Sequence, residues 1–132
     1  GVAQLNIINK LLKIRKKVFK TYNNSFRNYS YLTLIPHNNW SENSYWLYTL
    51  VINNIGQKRR DNLILNLQKL GIECRPGFYS LNKMKPFKRY AKGKFNNSNY
   101  LSENSISLPT TNLTKKDQEY IINMFLDEYK KI

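Results

Sequence analysis

The sequence predicts an α+β domain: a small, mostly antiparallel sheet with helices packed on one side. Three observations predict it. Apolar residues recur at helical spacing near both ends of the chain and once in its middle. Residues 45–52 form a run of aromatic and β-branched side chains suited to a strand. The resulting order, helix, strands, helix, strand, loop, helix, leaves the strands to pair with one another beneath a helical layer.

The first helix rests on Ile7, Leu11, Ile14, Val18 and Tyr22, with Ile8, Leu12 and Phe19 widening the buried stripe. Lys10, Lys13, Lys16, Lys17 and Lys20 fall mainly on the opposite, solvated face, and Asn23-Asn24-Ser25 ends the helix. Residues 29–35 read as a short strand closed by Pro36, and 37–44 as a polar loop. Tyr45 to Ile52 is the strongest strand, apolar on both faces and therefore central. A basic turn at 57–60 precedes a helix that starts at Asp61, buries Leu63, Ile64, Leu67 and Leu70, and stops at a left-handed Gly71. A strand at 72–75 breaks at Pro76-Gly77. The next thirty residues read as loop, with a short helix at about 97–103. Thr114 to Asp117 forms a capping box for a last helix that buries Gln118, Ile121, Ile122, Phe125 and Tyr129.

With 132 residues, 41% of them hydrophobic, the chain fits a single domain with one core. It has no apolar run long enough for a membrane span, and its first residues lack the pattern of a signal peptide, so a soluble, cytoplasmic chain is expected. The net charge of +14 raises a second possibility, a small basic module that binds RNA or single-stranded DNA. The bases are scattered, however, and Asn, Lys, Ile and Tyr, which all have AT-rich codons, are abundant together. Codon bias therefore accounts for the charge better than nucleic-acid binding does.

Residue chemistry offers no catalytic set. His37 is the only histidine and Cys74 the only cysteine, so neither a metal cage nor a nucleophile with its base can be assembled. Cys74, in an apolar segment, reads as a buried filler. The 5 glycines are too dispersed for a phosphate-cradling loop.

The segment Gly71 to Phe87 differs from the rest. A strand runs into Arg75-Pro76, then the aromatics Phe78 and Tyr79, then Leu81 and a second proline, Pro86. Aromatics on a proline-stiffened loop beside an arginine suit a sugar ring and a phosphate, although on the residues alone a loop whose aromatics simply cover the core is the more ordinary reading. This pattern resembles the small domain of the DegT/DnrJ/EryC1/StrS family of sugar aminotransferases. Trp46-Leu47-Tyr48 and Arg60-Asp61 fall where that family has its strand and its helix start. Leu101-Ser102, Ser107-Leu108-Pro109 and Leu113 to Gln118 resemble its closing run. Residues 1–25 resemble the helix that leads from the large domain into the small one, which then spans 26–132.

The resemblance implies the carboxy-terminal small domain of a pyridoxal-phosphate-dependent enzyme. The parent would transfer an amino group, commonly from glutamate, to a nucleotide sugar during glycan biosynthesis, and would be a homodimer. The cofactor lysine would lie upstream of Gly1, so no cofactor is expected on this chain and no residue here is assigned as catalytic. Arg75, Phe78, Tyr79 and Asn82 are the candidate substrate contacts. Asn82 stands where many members have histidine; members that aminate 4-keto-6-deoxy sugars lack it, which directs the substrate expectation to such sugars.

Overall fold

A computed structural model describes all of residues 1–132. A single turn, α1 (Val2–Leu5), leads into the long helix α2 (Ile8–Phe26). Strands β1 (Leu32–Thr33) and β2 (Tyr48–Ile52) follow, then helix α3 (Gln57–Lys69). Strand β3 (Arg75–Pro76) comes next, with a 3₁₀ turn at Leu81–Lys83 and the short α4 (Lys85–Lys88). Helix α5 (Asn96–Asn104) runs directly into strand β4 (Ser105–Leu108), and α6 (Lys115–Lys130) closes the chain.

The four strands form one antiparallel sheet in the order β1-β2-β4-β3. Tyr48 faces Leu108 and Leu50 faces Ile106 across β2 and β4. Directly opposed residues share a side of the sheet, so these four side chains and Ile52 lie on one face. Val18, Phe19, Tyr22 and Phe26 of α2, Leu63, Ile64 and Leu67 of α3, and Ile121, Ile122 and Phe125 of α6 cover that face in one core. Edge-on aromatic contacts join helix to sheet and helix to helix: Phe19 of α2 meets Tyr48 of β2 at 5.1 Å between ring centroids, and Phe26 of α2 meets Phe125 of α6 at 5.2 Å.

The α+β architecture and the central place of β2 match the sequence expectation, but several elements differ. Residues 45–52 are not apolar on both faces: Tyr48, Leu50 and Ile52 are buried, whereas Thr49 and Val51 on the other side are half-buried. The expected strands at 29–35 and 72–75 shrink to two residues each. Strand β4 lay inside the stretch read as loop, because only Ile106 and Leu108 carry its period-2 pattern, with serines between.

Helix α3 begins at Gln57 after a left-handed Gly56, not at Asp61. The reason is Arg60, only 1% exposed: its Nη1 donates to the carbonyls of Ser102 and Ser105 at 3.0 and 2.9 Å, and its Nε pairs with Asp61 at 2.7 Å. The basic turn expected at 57–60 is a helix start with an arginine anchored inward. Gly71 does stop the helix in the left-handed region, at φ +79°.

The first helix departs from its expected stripe as well. Val18, Phe19 and Tyr22 are buried, but Ile7, Ile8 and Ile14 stand exposed beyond the core. Leu70, just past the end of α3, is exposed rather than buried. In α6 the capping box forms, with Thr114 and Asp117 each bonding the other's backbone N–H, and Tyr129 stacks on Tyr31 at 4.3 Å.

Candidate functional site

The second face of the sheet is not covered by the helical layer. It carries Thr33, Thr49, Val51, Ser105 and Ser107, and the opposed pair Arg75 and Ser107 puts Arg75 at its edge. Thr49 and Ser107 hydroxyls bond each other at 2.8 Å. Helix α5 lines the rim: a trough over this face is walled by Leu34, Ile35, Phe78, Tyr79, Leu81 and Leu101. A neighbouring hollow brings Arg75, Phe78, Tyr79 and Met84 together.

Local chain geometry explains how the aromatics get there. Gly77 donates its N–H to the Ser105 carbonyl at 3.1 Å and passes so close to β4 that a Cβ would sit 1.8 Å from Ser105 Oγ. Glycine lets the chain cross the strand at contact distance, after which the loop turns outward. Phe78 and Tyr79 are 75% and 58% exposed. The remaining aromatics of this region, Phe87, Tyr90, Phe95 and Tyr100, are also exposed, so they do not cover the core.

The four candidate contacts are not equivalent. Arg75, Phe78 and Tyr79 share the hollow, and Arg75 pairs with Glu73, both side chains in solvent. An exposed pair of this kind contributes little and leaves the guanidinium available to an anion. Asn82 is half-buried and turned inward, its Nδ2 donating to Asn99 Oδ1 at 3.0 Å and its Oδ1 contacting the Ser80 hydroxyl.

One neighbour went unnoticed in the sequence as a site residue. Trp46 is exposed and its ring lies 6.4 Å from that of Phe78. Its carbonyl accepts from Arg15 Nη1 at 3.1 Å and from Thr110 Oγ1 at 3.0 Å, so its backbone is held although its indole is free. Only the spacing of Trp46 from the strand could have announced it; the Arg15 contact, 31 positions away, could not have been read locally.

Cys74 is fully buried, its thiol pushed up to about 11 by burial, which leaves no thiolate for nucleophilic work at neutral pH. No group of three or more His, Cys, Asp or Glu is placed to hold a metal ion, and no helix is long and apolar enough to cross a membrane. Pyridoxal phosphate requires an amine for the imine and an acid for the ring nitrogen, and the trough offers neither. Its lining is hydroxyl and apolar, with no lysine, aspartate or glutamate, so this surface does not fit the cofactor by itself.

The antiparallel four-stranded sheet, with helices on one face and an aromatic loop at the other, is shared with a segment of solved sugar aminotransferases. A protein assigned as a sugar aminotransferase from Streptococcus pneumoniae, solved in forms with and without pyridoxal phosphate, superposes on 99% of this chain with a TM-score of 0.89. It is 26% identical, and the match takes up 34% of its own length.

Residues 1–126 match the DegT/DnrJ/EryC1/StrS aminotransferase family, and the chain belongs to it. Two GDP-perosamine synthases are similar in sequence. The one from Vibrio cholerae is 29% identical over 83% of this chain and 30% of its own. The one from Caulobacter vibrioides is 27% identical over 92% of this chain and 33% of its own. The chain thus spans about a third of the length of these relatives.

Proposed function

We propose that this chain is the carboxy-terminal small domain of a pyridoxal-phosphate-dependent aminotransferase acting on a 4-keto-6-deoxy sugar nucleotide, with residues 1–25 leading in from a large domain. The observation that carries this reading is the open sheet face with Arg75, Phe78 and Tyr79 at its edge. The uncovered apolar residues of α1, of the junction and of the start of α2, Val2, Leu5, Ile7, Ile8 and Ile14, support a further domain packing there. The similarity to synthases of GDP-perosamine, an amino sugar nucleotide, supports the substrate class.

In this reading the large domain supplies the cofactor and its lysine, and no cofactor is held by this chain alone. Arg75 offers charge to a substrate phosphate, and Phe78 and Tyr79 close over the sugar and exclude water. The parent acts in the cytoplasm as a homodimer in glycan biosynthesis. The experiment is Arg75→Ala in the enzyme that contains this chain. Turnover of the sugar nucleotide should fall by about tenfold or more with the cofactor absorbance unchanged. Loss of cofactor or of folding in place of that kinetic effect would count against the reading.

The nucleic-acid reading loses ground on the same geometry. A single-strand binder stacks bases on aromatics set in a basic sheet face. Here the face carries threonine, serine and valine, with Arg75 as its edge cation, and the aromatics stand on a loop.

A further inference from the structure

The loop at 77–84 presents Phe78, Tyr79 and Leu81 to solvent, so apolar packing does not hold its shape. Between these residues Ser80 is 3% exposed and sits in a polar knot. Its backbone N–H donates to Ser102 Oγ at 3.1 Å. Its hydroxyl lies 2.8 Å from Ser98 Oγ and 2.9 Å from Asn99 Oδ1, and contacts Asn82 Oδ1. Asn82 Nδ2 donates to the same Asn99 Oδ1 at 3.0 Å. Beyond the Gly77 bond to Ser105, the loop has an ion pair between Lys83 and Glu103, which is exposed and weak.

Asn99 Oδ1 is therefore the one side-chain acceptor shared by both loop residues, and it comes from α5, 17 positions beyond Asn82. Ser80 has a single hydroxyl proton, with Asn82 Oδ1 and Ser98 Oγ also in reach, whereas the Asn82 amide donates to Asn99 Oδ1, and a part-buried amide that loses its acceptor is costly. We propose that Asn99 is a positioning residue for the loop: its side-chain oxygen accepts from Ser80 and Asn82 at once and so fixes the direction in which Phe78 and Tyr79 leave the sheet edge. Its importance to turnover rests on the reading that this loop faces the sugar nucleotide.

The required chemistry is that of an acceptor. Aspartate keeps the oxygen and strengthens both bonds, whereas leucine keeps the bulk and removes it. The test compares Asn99→Leu, Asn99→Asp and the unaltered chain, each labelled with ¹⁵N, by backbone relaxation at 78–83 and by amide exchange at Ser80 and Lys83. In Asn99→Leu these amides should exchange faster by about tenfold while those of β2 keep their protection, and Asn99→Asp should behave as the unaltered chain does. A loop as ordered in Asn99→Leu as before, or as disordered in Asn99→Asp as in Asn99→Leu, overturns the proposal. Should Asn99→Leu fail to fold, Ser80→Ala with Asn82→Ala removes both donors and must loosen the loop in the same way; retained order there overturns it equally.

In the enzyme that contains this chain, Asn99→Leu should raise KM for the sugar nucleotide about fivefold with little change in kcat, and Asn99→Asp should restore it. A loosened loop with an unchanged KM would leave Asn99's hold on the loop standing and overturn the substrate-facing role of the loop.

Discussion

The guanidinium of Arg60 donates to the backbone oxygen of Ser105 at 2.9 Å, tying the first turn of α3 to the first residue of β4. The same Nη1 reaches the Ser102 carbonyl at 3.0 Å, so one buried cation satisfies two carbonyls where α5 becomes a strand. Arg60→Met keeps much of the volume but strands both acceptors. It should cost about 3 kcal/mol in urea unfolding, and an unchanged midpoint would show that water replaces the guanidinium without penalty.

At Gly77 the constraint is steric. A Cβ there would meet Ser105 Oγ at 1.8 Å and Ser105 Cβ at 2.9 Å. Gly77→Ala should destabilise by about 2 kcal/mol through forced displacement. Ser105→Gly in the same chain removes the obstructing atoms and should recover part of that loss. Additive effects of the two substitutions in thermal unfolding would argue against the clash.

Stability should fall in alkali, with the sign set by burial. The Cys74 thiol is raised from 9.0 to about 11 when folded, so the unfolded chain releases this proton first. Stability is present below about pH 9 and is lost as pH rises toward 11. Tyr22 and Tyr48, also raised by burial above their ordinary 10.0, extend the loss to higher pH. Denaturation midpoints between pH 8 and 11 measure the slope. Cys74→Ala should flatten its first part, and an unaltered slope would assign the whole effect to the tyrosines.

Binding to single-stranded DNA should be weak and should vanish by about 200 mM salt, as contacts confined to phosphates do. Fluorescence anisotropy with two oligonucleotides of different sequence decides this. Tight, sequence-dependent binding at that salt would restore the nucleic-acid reading.

The parts of this architecture legible in the sequence were those written in local periodicity or local chemistry. The capping box at Thr114 and Asp117, the left-handed Gly71 and the core residues Leu63, Ile64, Leu67, Ile121, Ile122 and Phe125 were all of this kind. Strand β4 was not, because its alternation spans four residues, and the inward turn of Arg60 was not, because its acceptors lie more than 40 positions away. The exposure of Ile7, Ile8 and Ile14 was hidden for another reason: periodicity reports that a stripe is apolar, not what covers it. At the site, the Arg75-Pro76 and aromatic pattern marked the loop, but the inward turn of Asn82 depends on Asn99, a partner that no spacing rule selects.

The two outer strands of the sheet are only two residues long, and each is followed or ended by proline: β1 runs toward Pro36, and β3 contains Pro76, which has no N–H to offer. An incoming extended chain would find almost no unpaired amide ladder along either border, and a charged Arg75 at one of them. The open face can therefore stay exposed on the free domain without seeding fibrils, because growth by strand addition has nowhere to begin. Insertion of β-branched residues that lengthen β1 or β3 would remove that protection and favour assembly into larger sheets.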